Sequence, residues 1–221
     1  MFRIVTIERE FGCGAAAISS DLAERLGFKL WDHLLTEEIA RLANVDPSAV
    51  KRCDERVDSR LHRLAKTFWR GSYERSAALG SHIFDTDRMM TMMQGIMDKI
   101  AQEGNAVVVG RGAPFFLRQN PDAYHVFLYA PRAEKIRRII AEGHSQDEAE
   151  EMVDSVDRER AAYIKHYFDA DWPTRSLYHL MVNTAIGNEA AVQTILNTMR
   201  LVEGHPRATD YEPPKVPASS H

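Results

Sequence analysis

The spacing of its apolar runs predicts an α/β protein with a parallel sheet covered by helices on both faces. Five short runs of strand character, near 2–8, 28–31, 106–110, 124–130 and 178–183, alternate with stretches of helical periodicity. Ala106-Val107-Val108-Val109 is apolar at every position, as a central strand buried on both sides requires. The first run passes through Gly12 and Gly14 directly into a helical pattern.

Taken in order, the β-branched stretch Phe2-Arg3-Ile4-Val5-Thr6-Ile7 reads as the first strand. Ala15 to Leu26 reads as a helix, with Ile18, Leu22 and Leu26 on one face and Gly27 in the C′ position. Residues 33–104 are mostly helical in pattern and too long for a simple crossover. Asp46-Pro47 gives that stretch an N-cap followed by proline at the first helical position. Met89, Met93 and Met97, with Ile96 and Ile100, read as core packing. Arg56, Arg60, Arg63, Lys66, Arg70 and Arg75 read as a solvated helix face, with an anion pocket as the alternative. Beyond the fourth strand, Arg132 to Ile140 reads as a helix. Ser145-Gln146-Asp147-Glu148 has the form of a capping box opening another that runs past Tyr163. The tail 204–221 carries four prolines and few apolar residues, which predicts disorder.

Composition narrows the function classes. The 221 residues carry a formal net charge of −4 with 44% hydrophobic content, which argues against a general nucleic-acid binder. Cys13 and Cys53 are too few for a disulfide framework or a zinc site. A helix N-terminus can lower the pKa of the Cys13 thiol, but the favoured reading is a small residue filling a serine-like slot in the loop. No signal sequence and no apolar run of membrane-spanning length is visible, so a reduced, cytoplasmic protein with no membrane partner is expected.

The chemistry concentrates in residues 8–17. A strand, a glycine-bearing turn and a helix N-terminus form an anion site, because free N–H groups and the positive end of the helix dipole converge there. Two glycine motifs fit. As G-x-G-x-x-G/A, the match is Gly12, Gly14 and Ala17, with Asp32 as a ribose-binding acid. As G-x-x-x-x-G-K-[ST], the frame runs from Arg9 to Ala16. Four residues separate the first strand from Gly12, which favours the second frame. In it Arg9 replaces the first glycine, Ala15 the lysine and Ala16 the hydroxyl residue. A structural turn whose glycines allow close helix–sheet packing remains an alternative. At the end of the third strand, Gly110-Arg111-Gly112 places an arginine where open α/β sheets bind ligands, or pairs it with a sheet-edge carboxylate. Asp157, Arg158, Arg160 and Lys165, within 143–171, have the spacing of a basic lid.

These landmarks, in this order, resemble the cytidylate kinase-like family, a branch of the nucleoside monophosphate kinases, over the chain up to about residue 202. The matching pieces are Ile7-Glu8-Arg9-Glu10-Phe11-Gly12-Cys13-Gly14, Leu22-Ala23-Glu24-Arg25-Leu26-Gly27, Trp31-Asp32, Val108-Val109-Gly110-Arg111-Gly112, Phe127-Leu128-Tyr129-Ala130-Pro131, Val156-Asp157-Arg158-Glu159-Arg160 and Leu180-Met181-Val182-Asn183-Thr184. The resemblance implies a P-loop NTPase fold: a three-layer sandwich with a five-stranded parallel sheet ordered 2-3-1-4-5. It implies one domain over 1–203, with a helical NMP-binding insertion at 33–104 and a lid at 143–171. It implies ATP with Mg²⁺ as donor and CMP or dCMP as acceptor. Gly12, Cys13, Gly14, Ala15 and Ala16 would cradle phosphate, and Arg9 and Arg111 would add positive charge. Arg158, Arg160 and Lys165 would close over the transferring group, with Asp32 on the metal side. The chain departs from that pattern at Ala15 and Ala16, and at Gly112, where cytidylate kinases tend to carry Asp. Arg9 is the natural substitute for the absent lysine. The alternative is a nucleotide-binding or regulatory module that kept the fold without the chemistry.

Overall fold

The computed structural model describes residues 2–32 and 86–203. The Asp46-Pro47 helix start, the basic residues from Arg56 to Arg75 and the tail 204–221 lie outside the described residues. Strand β1 (Ile4–Arg9) leads to helix α1 (Ala15–Leu26) and the short β2 (Lys29–Trp31). Helix α2 (Thr86–Glu103) then precedes β3 (Ala106–Val109), α3 (Ala113–Phe116) and β4 (Ala123–Tyr129). Helices α4 (Arg132–Ala141) and α5 (Gln146–Phe168), strand β5 (Leu180–Asn183) and α6 (Asn188–Val202) complete the order.

All pairings are parallel and the strand order is β2-β3-β1-β4-β5. Ile4 sits level with Ala106 on one side and Ala123 on the other, so β1 is central. Side chains alternate across the sheet. Val5, Ile7, Val107, Val109, Val126 and Leu128 join the core with Ile18 and Leu22 of α1 and Ile195 of α6. Ile4, Ala106, Val108 and Ala123 face the opposite layer, where Met93, Ile96, Met97 and Ile100 of α2 fill the space. The expected methionine packing holds at Met93 and Met97, 2% and 0% exposed.

Local signals end these elements as expected. Ser145 Oγ accepts from the Glu148 N–H, and Glu148 Oε2 accepts from the Ser145 N–H at 2.9 Å, closing the capping box of α5. Gly27 adopts a left-handed conformation (φ 65°) after α1, letting the Phe28 N–H reach the Ala23 carbonyl at 2.9 Å. No atom lies near the missing Cβ, so Gly27→Ala isolates the backbone term. It is expected to lower stability by about 1–2 kcal/mol, read by chemical denaturation.

Candidate functional site

The sheet order brings the carboxyl ends of β1 and β3 side by side, and the glycine turns after them form two rims of one site. On the first rim, residues 10–14 link β1 to α1, and Gly12 (φ 72°) and Gly14 (φ 79°) are both left-handed. A Cβ at Gly12 would lie 3.0 Å from Ile139 Cδ1 and 3.2 Å from Lys135 Cβ, because α4 packs down onto the loop. Helix α1 begins at Ala15 with no side-chain cap and no acidic residue in its first turn. Its N-terminal N–H groups therefore present positive potential. The Ala15 N–H meets the Cys13 thiol. Burial pushes that thiol up, against the pull of the Ala15 amide and of Arg160 and Arg9. With 1% exposure, Cys13 is a packed small residue, and burial outweighs the helix N-terminus.

The loop is held by side chains from three other segments. Arg160 of α5 donates to the Arg9 carbonyl at 2.9 Å, and Asp157 Oδ1 accepts from the Phe11 N–H at 2.8 Å. Lys135 of α4 bridges Glu10 Oε2 at 3.0 Å and Asp157 Oδ2 at 3.2 Å. Its partners keep it charged, raising its pKa in spite of burial. Arg138 donates to the Cys13 carbonyl at 2.5 Å, and the Thr184 hydroxyl after β5 donates to the same oxygen at 2.6 Å.

The second rim is Gly110-Arg111-Gly112, where all three residues have positive φ (71°, 59° and 70°). The Gly112 N–H donates to Glu8 Oε1 at 3.2 Å, tying the two rims together through a carboxylate that is 3% exposed. A Cβ at Gly112 would stand 2.6 Å from the Phe168 ring, which explains why no larger residue occupies the position. A Cβ at Gly110 would overlap the Arg9 guanidinium, so that side chain bridges from the first rim to the second.

Gly12, Cys13, Gly14, Ala15, Ala16, Arg9, Arg111 and Arg160 are brought together. Ala15 is buried and Ala16 exposed. Among the described residues the Arg9 guanidinium has no hydrogen-bond or ion-pair partner. Arg160, with 11% side-chain exposure, is pushed down to about 10, first by burial and then by the neighbouring Arg9 charge. Arg111 lies close enough to the buried Tyr163 hydroxyl to oppose the rise that burial causes there. Arg158 and Lys165 lie exposed on the outer side of α5, and Lys165 pairs with Asp169 at 2.9 Å. Asp32 follows β2 at the same sheet edge, with β3 between it and β1. The described residues hold no cluster of three metal-ligating side chains.

Glu8, Glu10, Lys135, Arg138 and Thr184 were not among the residues the sequence nominated for the site, and Asp157 was read only as part of the lid run, without its contact to the loop. Two of the struts had a usable signal. Ala149, Val153 and Ile164 mark the buried stripe of α5, and Asp157 and Arg160 continue it at helical spacing, whereas Arg158 and Lys165 do not.

A parallel α/β sheet ordered 2-3-1-4-5, with a glycine loop between its central strand and the first helix, defines a P-loop kinase fold. The sequence pattern of the cytidylate kinase-like family matches residues 4–186, and the chain belongs to that family. A crystal structure of an uncharacterized protein from Eubacterium ventriosum is similar to it, with TM-score 0.64 and 19% identity over 90% of this chain and 99% of that one. Shikimate kinase from Acinetobacter baumannii, in complex with shikimate, aligns with TM-score 0.50 and 16% identity over 92% of this chain and 96% of that one. At such identities the likeness is one of fold. The search of curated proteins returns no match. Among the described residues, no helix is long and apolar enough to cross a membrane.

Proposed function

We propose that the chain is a cytoplasmic, ATP-dependent nucleoside monophosphate kinase that transfers a phosphoryl group to CMP or dCMP. The observation that carries this reading is Arg9, a guanidinium without a partner among the described residues, beside an uncapped helix N-terminus. In-line phosphoryl transfer asks for positioning and charge neutralisation rather than a covalent nucleophile. The amides of Gly12 to Ala16 would bind phosphate oxygens, Arg9 would take the lysine's charge, and Arg111 would face them from the second rim. The donor set fits Mg²⁺ held mainly by water and phosphate, the usual mode for this ion, with Asp32 contributing a carboxylate. Ala16 offers the ion no hydroxyl.

Ala15 and Ala16 favour a second reading, a nucleotide-binding module without transfer. Incubating the protein with ATP, Mg²⁺ and a panel of nucleoside monophosphates, while following ADP and the diphosphate product, separates the two. Transfer to CMP or dCMP supports the kinase, ATP binding without any transfer supports the module, and no nucleotide binding overturns both. The double change Ala15→Lys with Ala16→Ser is expected to raise turnover about tenfold or more if the native loop is short of charge. Unchanged turnover in a folded variant would show that Arg9 already fills the role.

A further inference from the structure

A loop whose N–H groups converge on one point is electrostatically uncomfortable without its anion, so its shape needs outside support. We propose that Asp157 and Arg160 form a positioning clamp that sets the shape of the phosphate loop. The inference rests on reading the loop as a nucleotide-phosphate site.

The clamp is a closed ring. Arg160 Nη1 donates to the Arg9 carbonyl at 2.9 Å and to Asp157 Oδ1 at 3.1 Å, and Asp157 Oδ1 accepts from the Phe11 N–H at 2.8 Å. Both backbone atoms belong to the loop entrance, one on each side of Glu10. The second Asp157 oxygen is fixed by Lys135, which also holds the Glu10 carboxylate. Side-chain exposures of 17% for Asp157 and 11% for Arg160 leave water little room to compete. An ion pair that served stability alone would have no need to engage two backbone atoms of the loop. Arg160 stays charged at neutral pH beside Arg9, an arrangement that an incoming phosphate would relieve.

Asp157→Asn preserves size and an acceptor for Phe11 but removes the charge. Without nucleotide, hydrogen–deuterium exchange over residues 9–17 is expected to accelerate about tenfold, while exchange in α6 stays at the wild-type rate. ATP affinity, by calorimetry, is expected to fall about tenfold. Arg160→Lys keeps the charge but loses the fork, and is expected to lie between Asp157→Asn and wild type on both readouts. Wild-type exchange over 9–17 in a folded Asp157→Asn protein overturns the clamp, and so does a uniform acceleration throughout the chain. If Asp157→Asn fails to fold, Arg160→Lys decides by the same criterion. A wild-type protein that binds no ATP overturns the nucleotide reading alone, since the exchange experiment judges the clamp without ligand.

Discussion

Arg9→Ala is expected to lower ATP-dependent turnover by about 10²–10³ while leaving the protein at least as stable as before. The two effects come from different atoms of one residue. The Arg9 carbonyl, which Arg160 engages at 2.9 Å, survives the substitution, so the loop keeps its anchor. The guanidinium holds no partner among the described residues, and its charge opposes that of the buried Arg160. Removing it relieves a repulsion in the free protein and deletes the charge that would meet the β- and γ-phosphates. Loss of function without loss of stability marks a residue kept for its site rather than for its fold. Arg9→Lys is expected to restore part of the rate, because an ammonium supplies the charge without the fork. Steady-state kinetics with ATP and thermal unfolding read the two effects separately. Unchanged turnover, or a fall in melting temperature that parallels the fall in rate, would count against the assignment.

The fold was legible because burial on both faces of a parallel sheet leaves apolar runs that hardly need interpretation, as at Ala106–Val109. The loop itself was legible from Gly12 and Gly14 ahead of a helical pattern, but not its length: β1 runs on through Arg9 and leaves only Glu10 and Phe11 before Gly12, where the sequence suggested four residues. What surrounds the loop was not legible either. Glu10, Lys135 and Asp157 are remote in sequence, and only the order of the strands decides that α4 and α5 fold back over the loop between β1 and α1. Within α5, four charged residues looked equivalent as a run of basic and acidic letters. The helical period divides them, turning Asp157 and Arg160 inward with Val153 and Ile164 and leaving Arg158 and Lys165 in solvent. At Cys13 the sequence favoured a small packed residue over a reactive thiol, and its 1% exposure agrees.

Lys135→Met is expected to cost the protein about 2–4 kcal/mol, making it the most destabilising single change at the site. The methionine retains the apolar stem that packs beneath Gly12 and removes only the ammonium, so the effect reports charge rather than volume. Its loss leaves Glu10 and Asp157 facing each other with their shared cation gone. Breaking a fully buried pair costs about 3–5 kcal/mol, and the lower figure here follows from Glu10, whose side chain keeps 25% of its surface in water. A double-mutant cycle makes the argument quantitative. With Glu10→Gln in the background, one of the two opposed charges is gone, and Lys135→Met is expected to cost at least about 1 kcal/mol less than in the wild-type chain. Equal costs in the two backgrounds, measured by urea denaturation, would show that Lys135 acts by packing alone. Because the same lysine fixes the second oxygen of Asp157, the variant is also expected to loosen the loop at Phe11. The energy that holds the phosphate site in shape would then come largely from a helix more than a hundred residues further along the chain.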